Sequence, residues 1–424
     1  MAERINFQID YLKSINQAKL ISLYQKKVDT IYQQIDQKKA VGSNNWMGWR
    51  TLALNYPADW IKKIKWQIAQ WKKLKIKQIV VIGIGGSFLG TKAAIEMCYQ
   101  DVNDVQLIWI NCLSPDYIAT QIKRLKFPFG IVVVSKSGTT LEPAVGFKIF
   151  QTELAKFTKN YHPYITVITD ANKGILLKQA QQHQWFTLPI PDDIGGRFSM
   201  LTAVGMFVMM YVGLNYQQIL NGAKQAYNDT LKPNLTNNSA ALYACIRHYL
   251  STVKKCQFEN IVFYEPHLYG LGEQWKQMFC ESTGKKHKGL FESASIFTTD
   301  LHSLGQYFQE GTRNFYTLNI YLQKPQNDYR LNFKNDPNFG FLNGKKLSSI
   351  NQAAFLGTLK AHTEEGKIDN LIIELPKANA YYYGYLSIWC AMAVAIEGYL
   401  LNLNPFDQPG VEAYKKRMME GLRR

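Results

Sequence analysis

The chain has 424 residues, 46% of them hydrophobic and 19% charged, with a formal net charge of +17. That length suits two or three globular domains, and no compositional bias marks disorder, a collagen-like repeat or a disulfide-stapled scaffold. The basic residues are spread along the chain, with modest clusters at 62–77 and 415–424, and no nucleic-acid-binding motif accompanies them; charge alone does not separate nucleic acid, a membrane surface and a small phosphorylated anion as partners.

The N-terminus, Met1-Ala2-Glu3-Arg4-Ile5, carries charge where a secretion signal needs an apolar run. Six scattered cysteines (Cys98, Cys112, Cys245, Cys256, Cys280, Cys390) without a CxxC pair read as reduced thiols of a cytoplasmic protein rather than as a disulfide or metal framework. Residues 1–75 show helical spacing of apolar residues. Short β-branched runs follow at 78–84, 105–111, 130–134, 164–169 and 185–190, with helical stretches between most of them. This alternation predicts a parallel sheet covered by helices on both faces. After a helical stretch over 199–249, further strands are expected at 260–264, 315–322 and 370–375. The chain therefore reads as two α/β units in series. The apolar stretch 381–403 contains Glu397 and Asn402 and reads as a buried helix rather than a membrane span, as does 200–214.

The first strand runs into Gly83-Ile84-Gly85-Gly86-Ser87, with a helix expected from Ser87. Glycines at such a turn let the backbone approach an anion, although a tight structural turn also wants them. A dinucleotide fingerprint is excluded: its third glycine falls on Phe88. The third strand runs into Ser135-Lys136-Ser137-Gly138-Thr139-Thr140, ahead of a helix whose first turn accepts Pro143. Four hydroxyls exceed what an N-cap needs and suit a phosphate monoester. Both loops follow the C-terminal ends of parallel strands, where open α/β sheets bind ligands.

Farther on, Asp192-Asp193-Ile194-Gly195-Gly196-Arg197 sets a guanidinium at a turn, either for a surface ion pair or for a developing oxyanion. Gln277 and Glu281 share a helix face four residues apart, with Glu281 near a C-terminus stopped by Gly284. The negative end of the helix dipole favours a more basic carboxylate there, as a carbon-acid base requires. On a helix from about Pro409, Lys415 falls within a stripe of Val411, Tyr414, Met418 and Leu422, either snorkelling or held in a site.

Six segments, in order, resemble the signature stretches of the phosphoglucose isomerases, short bacterial branch, over residues 75 to 424. They are Ile82-Gly83-Ile84-Gly85-Gly86-Ser87, Ser135-Lys136-Ser137-Gly138-Thr139-Thr140, the run from Asp193 to Gly205, Glu281-Ser282-Thr283-Gly284-Lys285, Leu301-His302-Ser303-Leu304-Gly305-Gln306, and the run from Phe406 to Lys415. The resemblance implies an α/β fold of two doubly wound parallel-sheet domains, flavodoxin-like sugar-isomerase (SIS) domains, in series. A helical segment (1–75) would precede the first (76–195) and the second (196–400, with its leading helices), and a tail (401–424) would carry Lys415.

It further implies reversible interconversion of glucose 6-phosphate and fructose 6-phosphate, in glycolysis and gluconeogenesis, with no cofactor and no metal. Glu281 would move the proton between C1 and C2, and Arg197 would stabilise the cis-enediolate. His302, oriented by Glu142, and Lys415 would open the sugar ring. Gly86, Ser87, Ser135, Ser137 and Thr140 would hold the phosphate, with Lys136 nearby and Gln277 and Gln408 contacting substrate. A homodimer is implied, with His302 donated across its interface. Two alternatives stand beside this reading: an isomerase that also accepts mannose 6-phosphate, and a non-catalytic phosphosugar sensor, which has no use for Glu281, His302 and Lys415 together. Thr283 and Glu292 depart from the family's usual pattern, as does the basic balance.

Overall fold

The structure is a computed structural model that describes residues 4–423, so residues 1–3 of the charged N-terminus lie outside it. Its strands are β1 (Asn6–Gln8), β2 (Gln78–Ile82), β3 (Gln106–Ile110), β4 (Phe129–Val134), β5 (Ile165–Asp170), β6 (Phe186–Ile190), β7 (Phe258–Phe263), β8 (Phe291–Ile296), β9 (Phe315–Leu322) and β10 (Asn370–Leu375). They form two five-stranded sheets, in the orders β3-β2-β4-β5-β6 and β1-β10-β9-β7-β8. The chain divides into two compact units. Among the described residues, one comprises 34–229 with 383–392, and the other 4–33, 230–382 and 393–423.

In the first unit the sheet is parallel throughout. Strands β2, β4 and β5 are buried at every residue. Such strands read as unbroken apolar runs because helices cover both faces. The core joins Val80, Ile82, Phe129, Ile131 and Ile165 to Phe147 and Phe150 of the helix Leu141–Phe157. The chain leaves β2 for β3 on one side and returns past β2 to β4 on the other. The C-terminal ends of β2 and β4 thus form the topological switch point, where this architecture binds ligands. The helices Ala203–Tyr211 and Tyr216–Thr230 start within the stretch that the sequence boundary at 196 had placed with the second domain; residues 196–229 belong to this unit.

The second unit repeats the parallel pattern over β8-β7-β9-β10 and adds β1, antiparallel to β10, at the edge. Its core includes Val262, Phe308, Phe315, Phe355 and Leu359. Eight strands lie within a few residues of their expected positions; β1 and β8 were not foreseen. The apolar stretch at 381–403 is the buried helix Ala380–Leu400. Among the described residues no helix is long and apolar enough to cross a membrane.

Candidate active site

At the switch point of the first unit the turn Gly85–Ser87 is 3-10, and the α-helix begins at Leu89 rather than at Ser87. Gly85 has φ +57°, which a side chain disfavours. Gly86 is needed for a different reason. A Cβ there would stand 2.2 Å from the carbonyl oxygen of Gly196, so the loop after β2 packs backbone to backbone against the turn that carries Arg197.

The loop after β4 is shaped partly by its own hydroxyls. The Gly138 N–H donates to Ser135 Oγ at 3.1 Å, and Ser137 and Thr139 share a hydrogen bond of 2.8 Å. Gly138 has φ +73°, and a Cβ there would lie 2.5 Å from Leu176 N. Thr140 is the N-cap of the helix Leu141–Phe157, yet its side chain makes no capping bond, leaving this helix start open to an anion. Glu142 sits in that first turn, part-buried.

Arg197 is only 6% exposed, in the turn Gly196–Leu201, with its guanidinium 5.5 Å from the Phe198 ring. Phe198 is itself stacked on Trp49 at 5.2 Å. Lys136 donates to three backbone carbonyls, Pro191 at 2.8 Å, Asp192 at 3.1 Å and Ile194 at 3.2 Å. Burial pulls its pKa below the ordinary lysine value, against the opposing pull of Asp192, Asp170 and Asp193.

In the second unit the helix Tyr269–Thr283 ends at Gly284, and Gln277 Nε2 donates to Glu281 Oε2 at 3.3 Å, the pairing that the four-residue spacing predicts. Lys285, just past the helix, donates to Asn404 O and, at 2.7 Å, to Asp407 Oδ1. That ties the end carrying Glu281 to the turn carrying Gln408. His302 lies exposed near the start of the helix Leu301–Glu310. Lys415 lies on the helix Val411–Leu422, its side chain 45% exposed and paired with Glu412 at 2.9 Å. The stripe around it is not buried within the chain: Tyr414 is 57% and Leu422 61% exposed. The structure thus brings Gln277 and Glu281 together in one unit. In the other it brings Gly86, the loop of Ser135 and Ser137, and the turn of Arg197 to one sheet edge.

One group of residues escaped the sequence reading. Arg247, wholly buried, meets Glu397 through Nε at 2.6 Å, Glu292 through Nη2 at 2.6 Å and Glu259 through Nη1. Its guanidinium lies 3.7 Å from the ring of Phe279, two residues before Glu281. The second carboxyl oxygen of each glutamate is buried without a hydrogen bond. The sequence signs were Glu397, an acid inside an apolar helix, and Glu292, which departs from the family's usual pattern.

The family model described as phosphoglucose isomerase matches residues 57–322. The chain belongs to the phosphoglucose isomerase family. A glucose-6-phosphate isomerase of Mycoplasmopsis synoviae (strain 53) is 39% identical, over 95% of this chain and 95% of the relative. One from Mycoplasma mycoides subsp. mycoides SC is 42% identical, over 93% and 94%. Among solved structures, a hypothetical protein from Thermus thermophilus superposes with a TM-score of 0.90 at 24% identity, covering 99% of this chain and all (100%) of that one. A glucose-6-phosphate isomerase from Chlamydia trachomatis superposes at 0.82 with 19% identity, covering 99% and 88%. At these identities the superpositions speak for the fold, which is that of phosphoglucose isomerases.

Proposed function

We propose that this chain interconverts glucose 6-phosphate and fructose 6-phosphate by opening the sugar ring and moving a proton between C1 and C2 through a cis-enediolate. The observation that carries this reading is likeness over nearly the whole chain to relatives named for that reaction. The chemistry of the residues supports it. Glu281, steadied by the amide of Gln277, takes the proton from one carbon and returns it to the other. Arg197, enclosed and permanently charged, stabilises the enediolate oxygen, where a fixed cation in a dry site counts far more than one in water. His302, oriented by Glu142, and Lys415 serve ring opening, which needs one proton delivered to the ring oxygen and one removed from the anomeric hydroxyl. Gly86, Ser87, Ser135, Ser137 and Thr140 receive the phosphate at a helix start, and Gln408 contacts the sugar.

The working enzyme in this proposal is a cytoplasmic homodimer in which each His302 serves the partner's substrate. The exposed positions of His302 and of the stripe around Lys415 support that arrangement. Two experiments test the reading. A coupled assay in excess chelator should show fructose 6-phosphate turned over at an unchanged rate; absence of turnover with retained sugar binding would replace the enzyme by a sensor. Mixing inactive His302→Ala and Glu281→Gln proteins under conditions of subunit exchange should restore activity. Random pairing leaves one intact site in half of the dimers, about a quarter of the wild-type rate. A mixture as inactive as its components would rule out sharing of His302.

A further inference from the structure

We propose that Lys136 is a positioning residue, whose ammonium clasps the carbonyls of Pro191, Asp192 and Ile194 and thereby holds the turn that presents Arg197. The inference rests on the role given above to Arg197 and deepens it. An ammonium has three N–H donors. Here the three short contacts to Pro191, Asp192 and Ile194 account for all of them. The indole of Trp46 covers another side of the cation, 5.3 Å from its ring centre. No donor is left over for a phosphate oxygen, so turning one toward substrate would release a carbonyl of the very loop that leads into Gly195, Gly196 and Arg197.

The converse also follows. Three carbonyl oxygens that converge on one point repel one another, and a half-buried cation is what lets them do so. Other contacts along this loop include Gly48 N–H to Asp193 O at 3.2 Å, Asn172 Nδ2 to Asp192 Oδ2 at 3.3 Å and, at the arginine turn itself, Ser199 Oγ to Gly196 O at 2.6 Å. On its other side Lys136 is fixed by its own backbone, whose carbonyl accepts from Asp170 N–H and from Thr169 Oγ1, each at 3.3 Å. Lys136 stands between Ser135 and Ser137 in sequence. One side chain therefore ties the loop proposed to receive phosphate to the turn that carries the electrophile. A shift of about 1 Å in a positioned group costs on the order of 100-fold in rate, so the clasp should appear in kcat rather than in phosphate affinity.

The experiment uses the full-length protein with Lys136→Met. Lys136→Arg serves as a second variant that keeps the charge but offers a planar fork that cannot serve three carbonyls converging on one point. In both, kcat with fructose 6-phosphate should fall about 100-fold, while the inhibition constant of inorganic phosphate stays within about twofold. Amide hydrogen exchange over 192–197 should accelerate at least about tenfold, with β4 unchanged. An inhibition constant raised tenfold or more, whatever kcat does, would make Lys136 a phosphate ligand and overturn the proposal. So would wild-type kcat with wild-type exchange. A wild-type protein inactive on fructose 6-phosphate would sink the proposed reaction instead, while the exchange data would still report on the clasp.

Discussion

Glu281→Gln should lower kcat by roughly three to four orders of magnitude, the upper part of the range for losing a positioned general base, while KM changes little. The substitution preserves shape and leaves an amide that still hydrogen-bonds to Gln277. It removes only the ability to hold a proton between the abstraction and its return. Because the side chain sits part-buried at the end of an ordered helix, thermal unfolding of the variant should follow the wild type. Steady-state kinetics with fructose 6-phosphate and a melting curve on the same preparation make the check. A variant within tenfold of wild type would remove Glu281 from the role of base. Glu281→Asp, which keeps the carboxylate but withdraws it by one methylene, should lose about 100-fold.

The second large effect concerns stability. Three glutamates and one arginine share a space that water does not reach, so full ionisation would leave a net charge of 1 − 3 = −2 in it. Burial pushes the carboxyl groups of Glu292 and Glu397 above the usual range despite the pull of Arg247. The hydroxyl of Tyr243 donates to Glu259 at 2.7 Å, and its own ionisation, like that of Tyr316, is driven up by burial.

A carboxyl whose folded pKa is raised binds its proton more tightly in the folded chain. Its stabilisation is therefore complete below the unfolded value, about 4.3 for glutamate, and is lost as pH rises from there through the folded value. Glu292→Gln has no such proton to lose. Followed from pH 5 to pH 9, its urea midpoint relative to wild type should improve as pH rises toward the folded value and level off above it. Parallel midpoints across that range would show that Glu292 is already ionised in the fold. Arg247→Met should do the reverse and cost about 3–5 kcal/mol, since it strands buried carboxylates. Its loss should also slacken the helix under Glu281, because the guanidinium lies against Phe279.

Which parts of this molecule could be read without coordinates follows from where each signal resides. Strands β2, β4 and β9 announce themselves as apolar β-branched or aromatic runs, because both their faces are covered. Strand β8 hides. Glu292, Ser293 and Ser295 look like a loop until Arg247 and Asn260 are seen to satisfy them: Glu292 meets the guanidinium, and both serines donate to Asn260 Oδ1. Strand β1 has three residues, too few for a period, and exists because β10 offers it an edge.

The loops near the first sheet's switch point were legible because glycine and hydroxyl residues mark them. The grip of Lys136 was not, because its partners are backbone carbonyls 55 to 58 positions away, a chemistry that every residue shares. The stripe around Lys415 leaves the choice between snorkelling and a site open, because within the chain Tyr414 and Leu422 are exposed and Val411 and Met418 only half-buried.

The most direct test is to run the reaction in deuterium oxide with excess chelator and follow the product by proton NMR. If a glutamate carries the migrating hydrogen as a proton, fructose 6-phosphate should give glucose 6-phosphate that gains deuterium at C2 over repeated turnovers, and Glu281→Gln should abolish both product and exchange. Product formed at full rate with no deuterium at C2 after many turnovers would mean that hydrogen migrates without passing through an exchangeable base, and the enediolate account of Glu281 and Arg197 would fail.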